Sequence, residues 1–464
     1  MLIVSDLLEA TGGRIACEGT TGLSGGFSGV SLDSRNIKSN EIFVPLKGDR
    51  FDGHDFVADA LKTCAGAIVN SQFPIADLRA GDKTIIIVDD TLAALQGLAR
   101  YLRTKFSGHV IGIVGSNGKT TTKELIASIL GQKLNVLKTE GNLNNHIGMP
   151  LSITRLQADT GVMALEMGTN RPGDVDELCN IAMPDTGVVT NIGYEHLEGF
   201  GSLEKVRESE LEIVKYVKKL ILNADDMFLL GGVSTAFTGE MITFGIETER
   251  ADITARDIVF FDDVTSFTLC AGDACINIDS RLPGLFNVYN SLAAASAAHG
   301  LGFGMAEIKK GLESFRGVNM RFEIENFNGS TFLNDIYNAN PSSMEASIKE
   351  MVRRFNAESG KYKRAIVVLG DMLELGDYAV QAHKDLGRLL SGLPVDVFIG
   401  AGPLMALAVS EFKGKGISTA SSEEAGAELL KAIGDSDLVL IKGSRGMKME
   451  QVLKTVKRGL TDAV

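Results

Sequence analysis

The sequence predicts an α/β protein of three domains, and three observations carry that reading. Apolar runs at residues 162–167, 187–190 and 220–223 alternate with helical stretches such as 203–217, the pattern of βαβ units around a mostly parallel sheet. The 52 glycines suit many tight strand-to-helix turns. A length of 464 residues exceeds one core and predicts two to four domains, at roughly 100–200 residues each.

The elements follow in order. Residues 1–88 hold strand candidates at 42–46 and 85–88, with helical apolar spacing at 56–63 running into an apolar run at 66–69. They form a small α/β domain. Residues 89–317 open with a helical stretch at 91–106 that leads into a strand at 110–114. The apolar runs named above follow, and together they predict a mostly parallel central sheet. Residues 250–280 alternate like antiparallel strands, and the small-residue stretch 291–298 reads as a closely packed helix. Residues 318–464 carry strands at 365–369, 395–399 and 438–441 between helices at 378–390 and 423–433, a second, Rossmann-like sheet. The chain has no internal repeat and no low-complexity tail.

Charge and composition exclude several partners. With 59 acidic against 46 basic residues the net charge is −13, which disfavours nucleic acid and anionic membranes because both need surplus Lys and Arg. No run reaches the ~18–20 apolar residues of a membrane helix. The start, Met1 to Asp6, lacks a basic segment followed by a long apolar stretch. A cytoplasmic monomer without membrane insertion is expected. The five cysteines (17, 64, 179, 270, 275) are expected to be small apolar residues in a reducing compartment, since no His or Cys pairs mark a zinc site.

The chemistry is concentrated after the strand at 110–114, which runs into Gly115-Ser116-Asn117-Gly118-Lys119-Thr120-Thr121 and then a helix. Strand, glycine turn and helix start present free N–H groups and a positive helix end to an anion. Lys119 has the reach for outer phosphates of ATP, and the Thr120 hydroxyl suits Mg2+. The spacing is shorter than GxxxxGKT, with Ile113 where that pattern has its first glycine, so a chance turn is the competing reading. Mg2+ on phosphates usually takes one or two carboxylates. Glu166 and His196 each follow an apolar strand, where α/β sheets place ligand sites; a salt-bridge or surface role is the alternative for each.

Eight stretches now bear on a family: GSNGKTTTKE from Gly115, GNLNNHIGMPL from Gly141, LEMGTNRPGD from Leu165, TNIGYEHLEGFGSLE from Thr190, LNADD from Leu222, NDIYNANPSSM from Asn334, LGDMLELG from Leu369 and KGSRGMKME from Lys442. In that order, over the whole chain, they resemble the Mur ligases. The resemblance implies a UDP-binding first domain, a central P-loop ATPase domain and a Rossmann-like ligase domain. It points to the branch that joins D-alanyl-D-alanine to UDP-N-acetylmuramoyl-tripeptide, with ATP first converting the tripeptide carboxylate to an acyl phosphate. It implies catalytic roles for Lys119, Glu166, His196 and Arg321. Asn144 and Asn145 would lie near phosphates or metal, and Asn287 and Asn290 at adenine, with helix capping as the alternative for the last two. Arg321, otherwise a surface salt-bridge residue, would reach the γ-phosphate on closure, and Asp335 and Tyr337 would meet ATP across the interface. Ser31, Ser34 and Arg35, with Lys47, Gly48 and His54 in the segment 47–54, match the UDP-substrate segments, although polar loops explain them equally. Asp371, Glu374, His383, Lys442, Ser444 and Arg445 would fall on the acceptor side.

One position departs from the family. The resemblance places a carbamylated lysine fourteen residues after the metal-binding histidine, and here that residue is Glu210. A permanent carboxylate would then support the metal, unless Glu210 is only a solvated helix charge. The nearest rivals are the ligase adding the third residue, which carries a DNPR segment absent here, and folylpolyglutamate synthases, which lack the first domain. A non-catalytic ATP-gated module is disfavoured by Lys119, Thr120, Glu166 and His196 occurring together.

Overall fold

The computed structural model describes residues 1–461 apart from 21, 23, 24, 49, 79, 234, 236, 262, 263, 358 and 359; Asp49 of the segment 47–54 thus lies outside the described residues. Beyond a two-stranded ribbon, successive stretches of chain build sheets of five, nine and six strands. The fold is α/β, as the alternation of apolar runs and helical stretches requires.

The five-stranded sheet runs Arg14–Cys17, Thr84–Val88, Gly66–Asn70, Glu41–Phe43 and Gly29–Ser31, with only the first pair antiparallel. All of Thr84–Val88 is buried, as an inner strand covered on both faces must be. The helix expected at 56–63 is instead a 3-10 turn, Gly53–Phe56, and one helical turn, Val57–Ala60. The chain has to turn back at once to enter the strand at Gly66. The helix Thr91–Lys105, capped by Asp90 accepting from the Ala93 N–H at 2.7 Å, bridges two cores. Ala94, Leu95 and Leu98 pack into the first core, and Ala99 packs into the second.

In the nine-stranded sheet His109–Val114 lies between Thr160–Glu166 and Thr186–Val189, parallel to both. Strand order reverses at this strand, which makes a topological switch point with its crevice at the strands' carboxyl ends. Val110, Ile111, Ile113 and Val114 are fully buried, so the strand is a fixed base for the loop that follows. Residues 250–280 do form antiparallel strands, and these extend the same sheet. The helix expected at 203–217 ends at Glu210 and continues as the 3-10 turn Leu211–Lys215, a common tightening of helix ends. The small-residue helix is longer than expected, Leu285–Gly300, and its Ala293, Ala294 and Ala297 allow close packing on the sheet.

One cysteine expectation is corrected. Cys270 and Cys275 are directly opposed in a hairpin, with Cα atoms 4.1 Å apart, and form a disulfide. Hairpin register, invisible in a list of cysteines, brings them together; Cys17, Cys64 and Cys179 remain free.

The six-stranded sheet is ordered Glu323–Phe327, Ser330–Asp335, Asp437–Lys442, Arg364–Gly370, Val397–Ala401 and Lys415–Thr419, parallel except for the first pair. Among the described residues no helix is long and apolar enough to cross a membrane.

Candidate active site

The loop after His109–Val114 has two glycines that no other residue replaces. Gly115 has φ +117°, and a Cβ there would sit 2.3 Å from Thr190 Oγ1. Gly118 has φ +83°, and a Cβ would sit 2.2 Å from Asn290 Oδ1. Both need a left-handed backbone and a close approach that only glycine supplies. The loop is tied to the neighbouring strand's end: the Ser116 N–H donates to the Asn191 carbonyl at 2.8 Å, and the Ser116 hydroxyl donates to the Gly193 carbonyl at 3.1 Å. The helix Lys119–Leu130 then begins with Lys119, Thr120 and Thr121, which line the cleft.

Around this helix start lies a buried charge cluster. Thr120 Oγ1 donates to Glu166 Oε1 at 3.1 Å, and Asn144 Nδ2 donates to the same oxygen at 2.9 Å. Lys123, fully buried, donates to the Thr139 carbonyl at 2.6 Å and stands 3.7 Å from Glu166 Oε2. Lys119 donates to the Gly115 carbonyl and lies 3.7 Å from Glu195 Oε2. Glu210 is fully buried and accepts the Gly115 N–H at 2.7 Å, so it is not a solvated helix charge. Burial pushes the Glu195 carboxyl up to about 8, against the pull of Lys119, and burial also raises Glu210. Burial works against the Lys119 ammonium, but Glu195, Glu210 and Glu166 outweigh it and hold that group above its ordinary value.

His196 has φ +48° and places Nδ1 2.5 Å from Glu374 Oε2, a residue of the third sheet's unit. Its Nε2 is 4.0 Å from Glu195 Oε2. Burial lowers the imidazole's pKa, and nearby Lys119 lowers it further.

The cleft, about 1230 Å³, is walled on its far side by the third unit. From there Arg321 Nη2 donates to Thr120 Oγ1 at 2.9 Å, while its guanidinium lies 4.1 Å from the Tyr337 ring centroid. Asp335 is held by Lys442 and by the Ser347 hydroxyl, each at 2.6 Å. Asn290 donates to Asn287 Oδ1 at 3.0 Å, and Asn287 donates to the Pro283 carbonyl at 2.8 Å. These two amides line the cleft together with the apolar side chains of Phe244, Phe286 and Ala293.

Comparison with known proteins decides what kind of site this is. Residues 26–103 match the Mur ligase family catalytic domain, 113–298 the Mur ligase middle domain and 320–445 the Mur ligase glutamate ligase domain. The UDP-N-acetylmuramoyl-tripeptide–D-alanyl-D-alanine ligase of Bacillus subtilis (strain 168) is 36% identical over 92% of each chain. The protein of that name from Escherichia coli (strain K12) is 33% identical, covering 93% of this chain and 94% of its own. The chain belongs to the Mur ligase family. Among solved structures, MurF from Acinetobacter baumannii superposes with a TM-score of 0.87 at 30% identity, covering 98% of this chain and 99% of its own. MurF from Thermotoga maritima in complex with ADP gives 0.81 at 30% identity, over 94% and 98% of the two chains. The ATP-dependent ligase class expected from the motifs therefore holds.

In this Mur ligase the sequence candidates separate into groups. Gly115 to Thr121, Glu166, His196, Arg321, Asp335, Tyr337, Asn144, Asn145, Asn287 and Asn290 all come to the cleft or its loop. Asn145, however, directs Oδ1 to the Ile147 and Gly148 N–H groups at the start of a helix. Ser31, Ser34, Arg35, Lys47, Gly48 and His54 lie in the first unit and do not line this cleft. There Arg35 pairs with Asp33, and the Ser31 hydroxyl closes a turn onto Asp33. His54 is buried with both ring nitrogens engaged: Nδ1 with Asp52 at 2.7 Å and Nε2 accepting the Asn70 N–H at 3.2 Å. It is a strut and has no ring nitrogen left for a ligand.

On the acceptor side, Asp371 accepts from the Met405 N–H at 2.6 Å and His383 accepts from the Met372 N–H at 3.0 Å, both within the fold. Glu374 and Arg445 stay more than half exposed at the cleft. Sequence reasoning missed Glu195, Lys123, Asn191, Asn340 and Ser342. Only Glu195 had a local signal, a carboxylate beside His196 after a buried strand.

Proposed function

We propose that this Mur ligase joins D-alanyl-D-alanine to UDP-N-acetylmuramoyl-tripeptide, with ATP going to ADP and phosphate, in the synthesis of peptidoglycan precursors. The observation that carries it is the meeting of Lys119, Thr120 and Glu166 with Arg321 across the cleft, Arg321 Nη2 lying 2.9 Å from Thr120 Oγ1. A carboxylate does not accept an amine, because its leaving group would be oxide. In the first step a tripeptide carboxylate oxygen bonds to the γ-phosphorus as the bond to ADP breaks. In the second the dipeptide amine bonds to the acyl carbon, a proton leaves the nitrogen, and phosphate departs.

The chain's residues serve charge neutralisation and alignment in both steps. The Gly115, Ser116 and Asn117 N–H groups are taken by Glu210 and Asn191, so the N–H groups from Gly118 to Thr121 at the helix start bind the phosphates with Lys119, and Arg321 meets the γ-phosphate from the opposite wall. Asn287 and Asn290 join Phe244, Phe286 and Ala293 in receiving adenine, and Tyr337 orients Arg321. Among the described residues no trio of His, Cys, Asp or Glu forms a self-sufficient metal site. The donors nevertheless fit Mg2+ shared with phosphates: Glu166 Oε2, Glu195 Oε1 and Glu210 Oε1 are buried carboxylate oxygens without hydrogen-bond partners. Thr120 and Glu166 would hold one ion, with His196 and Glu210 on the side of a second. Bound there, Mg2+ supplies charge neutralisation for the phosphoryl oxygens.

We assign residues 1–88 to the UDP substrate, 89–317 to ATP and 318–464 to the acceptor, in a cytoplasmic monomer. Phosphate release with each substrate omitted in turn tests the reading. Release is expected only with ATP, the nucleotide tripeptide and D-alanyl-D-alanine together; turnover with a single amino acid in place of the dipeptide would overturn it.

A further inference from the structure

The side-chain amide of Asn117 is fully engaged by protein. Its backbone is fixed by the end of the neighbouring strand: the N–H donates to Asn191 Oδ1 at 3.1 Å, and the carbonyl accepts from Asn191 Nδ2 at 3.0 Å and Thr190 Oγ1 at 2.6 Å. From this anchored backbone the amide reaches the start of the helix Pro341–Ala357, in the third unit. Nδ2 donates to Ser342 Oγ at 2.9 Å and to Asn191 Oδ1 at 3.3 Å, and Oδ1 accepts from Asn340 Nδ2 at 2.9 Å.

Asn340 is oriented for this contact. Its Oδ1 accepts from the Ser343 N–H at 2.8 Å and from Ser342 Oγ at 3.1 Å, which caps the helix and turns Nδ2 toward Asn117. Ser342 also depends on a glycine opposite, since a Cβ on Gly193 would stand 2.8 Å from its hydroxyl oxygen. The partners lie 223 and 225 residues from Asn117 along the chain, so the contact exists only when the third unit stands against the loop.

We infer that Asn340 and Ser342 are positioning residues that lock the phosphate loop through Asn117 as the third unit closes. Domain closure and the ordering of the phosphate loop are then a single event. A nucleotide bound before closure meets the loop without its latch, and the chemical step waits for both. The kinetic half of this inference rests on the ligase reading above; the structural half does not.

The variant Asn340→Asp separates the two roles of Asn340. It keeps the oxygen that caps the helix and removes the donor to Asn117 Oδ1. The expected result is a fall in kcat of roughly three- to thirtyfold, the range for one or two lost hydrogen bonds. The ATP dissociation constant without the other substrates should stay within about twofold, because the open form binds ATP without the latch. The double variant Asn117→Ala/Asn340→Asp should be no slower than the slower single variant, as for residues in one contact. Small-angle scattering with a non-hydrolysable ATP analogue should give a larger radius of gyration for Asn340→Asp than for the unaltered protein.

Rates that multiply in the double variant would overturn the latch. So would a loss of ATP affinity equal to the loss of kcat, or unchanged kcat with unchanged scattering. If the unaltered protein ligates nothing, the ligase reading fails and the scattering comparison alone decides the latch.

Discussion

Glu210 stands where the family resemblance places a carbamylated lysine. Fully buried, it presents one oxygen to the Gly115 N–H at 2.7 Å and leaves the other without a partner. A carboxylate that is part of the chain needs no carbon dioxide, so ligation should be indifferent to removal of bicarbonate. A measured loss of rate on bicarbonate removal would contradict that. Glu210→Gln keeps an acceptor for Gly115 and removes the charge, whereas Glu210→Ala also leaves a buried N–H unpaired. Melting curves should therefore place Glu210→Ala about 1–3 kcal/mol below Glu210→Gln in stability. Equal stabilities would mean that the Gly115 contact carries little. The motif around Lys119 could be read because its partners are adjacent in sequence. Glu195 offered only its place beside His196 after a buried strand, and Lys123 offered nothing, because their charges gain meaning only when folding buries them against Lys119 and Glu166.

The parallel strands were legible because inner strands must be continuously apolar, as in His109–Val114. Helix lengths were less legible, since 203–217 has helical spacing throughout yet tightens to a 3-10 turn after Glu210. The disulfide was missed because only hairpin register pairs Cys270 with Cys275. His383, read from sequence as an acceptor-side residue, is instead a buried tie at the start of the helix Ala379–Ser391. Nε2 accepts the Met372 N–H at 3.0 Å and Nδ1 donates to the Ala379 carbonyl at 2.6 Å. Burial lowers its pKa from the ordinary 6.5, so the unfolded chain takes up the proton first. The contribution is fully present above 6.5 and is lost as pH falls below it through the lower folded value. The melting temperature should therefore drop between pH 7.5 and 5.5 by more in the unaltered protein than in His383→Gln. Identical pH profiles for the two would remove His383 from the account.

At the scale of the molecule, the cleft is completed only where the third unit meets the second. His196 with Glu374, Thr120 with Arg321, and Asn117 with Asn340 are all contacts between those units. No local pattern in the sequence encodes such pairs. The resemblance supplied Arg321, whereas the stretch from Asn334 contains Asn340 and Ser342 but gives neither of them a role. In the proposed reaction this cleft activates a carboxylate by phosphorylation before an amine attacks it. Oxygen-isotope transfer tests it most directly. With 18O in the terminal carboxylate of the nucleotide tripeptide, one labelled oxygen should appear in the released phosphate for each amide bond formed. Phosphate released without label, while the amide product accumulates, would contradict the account.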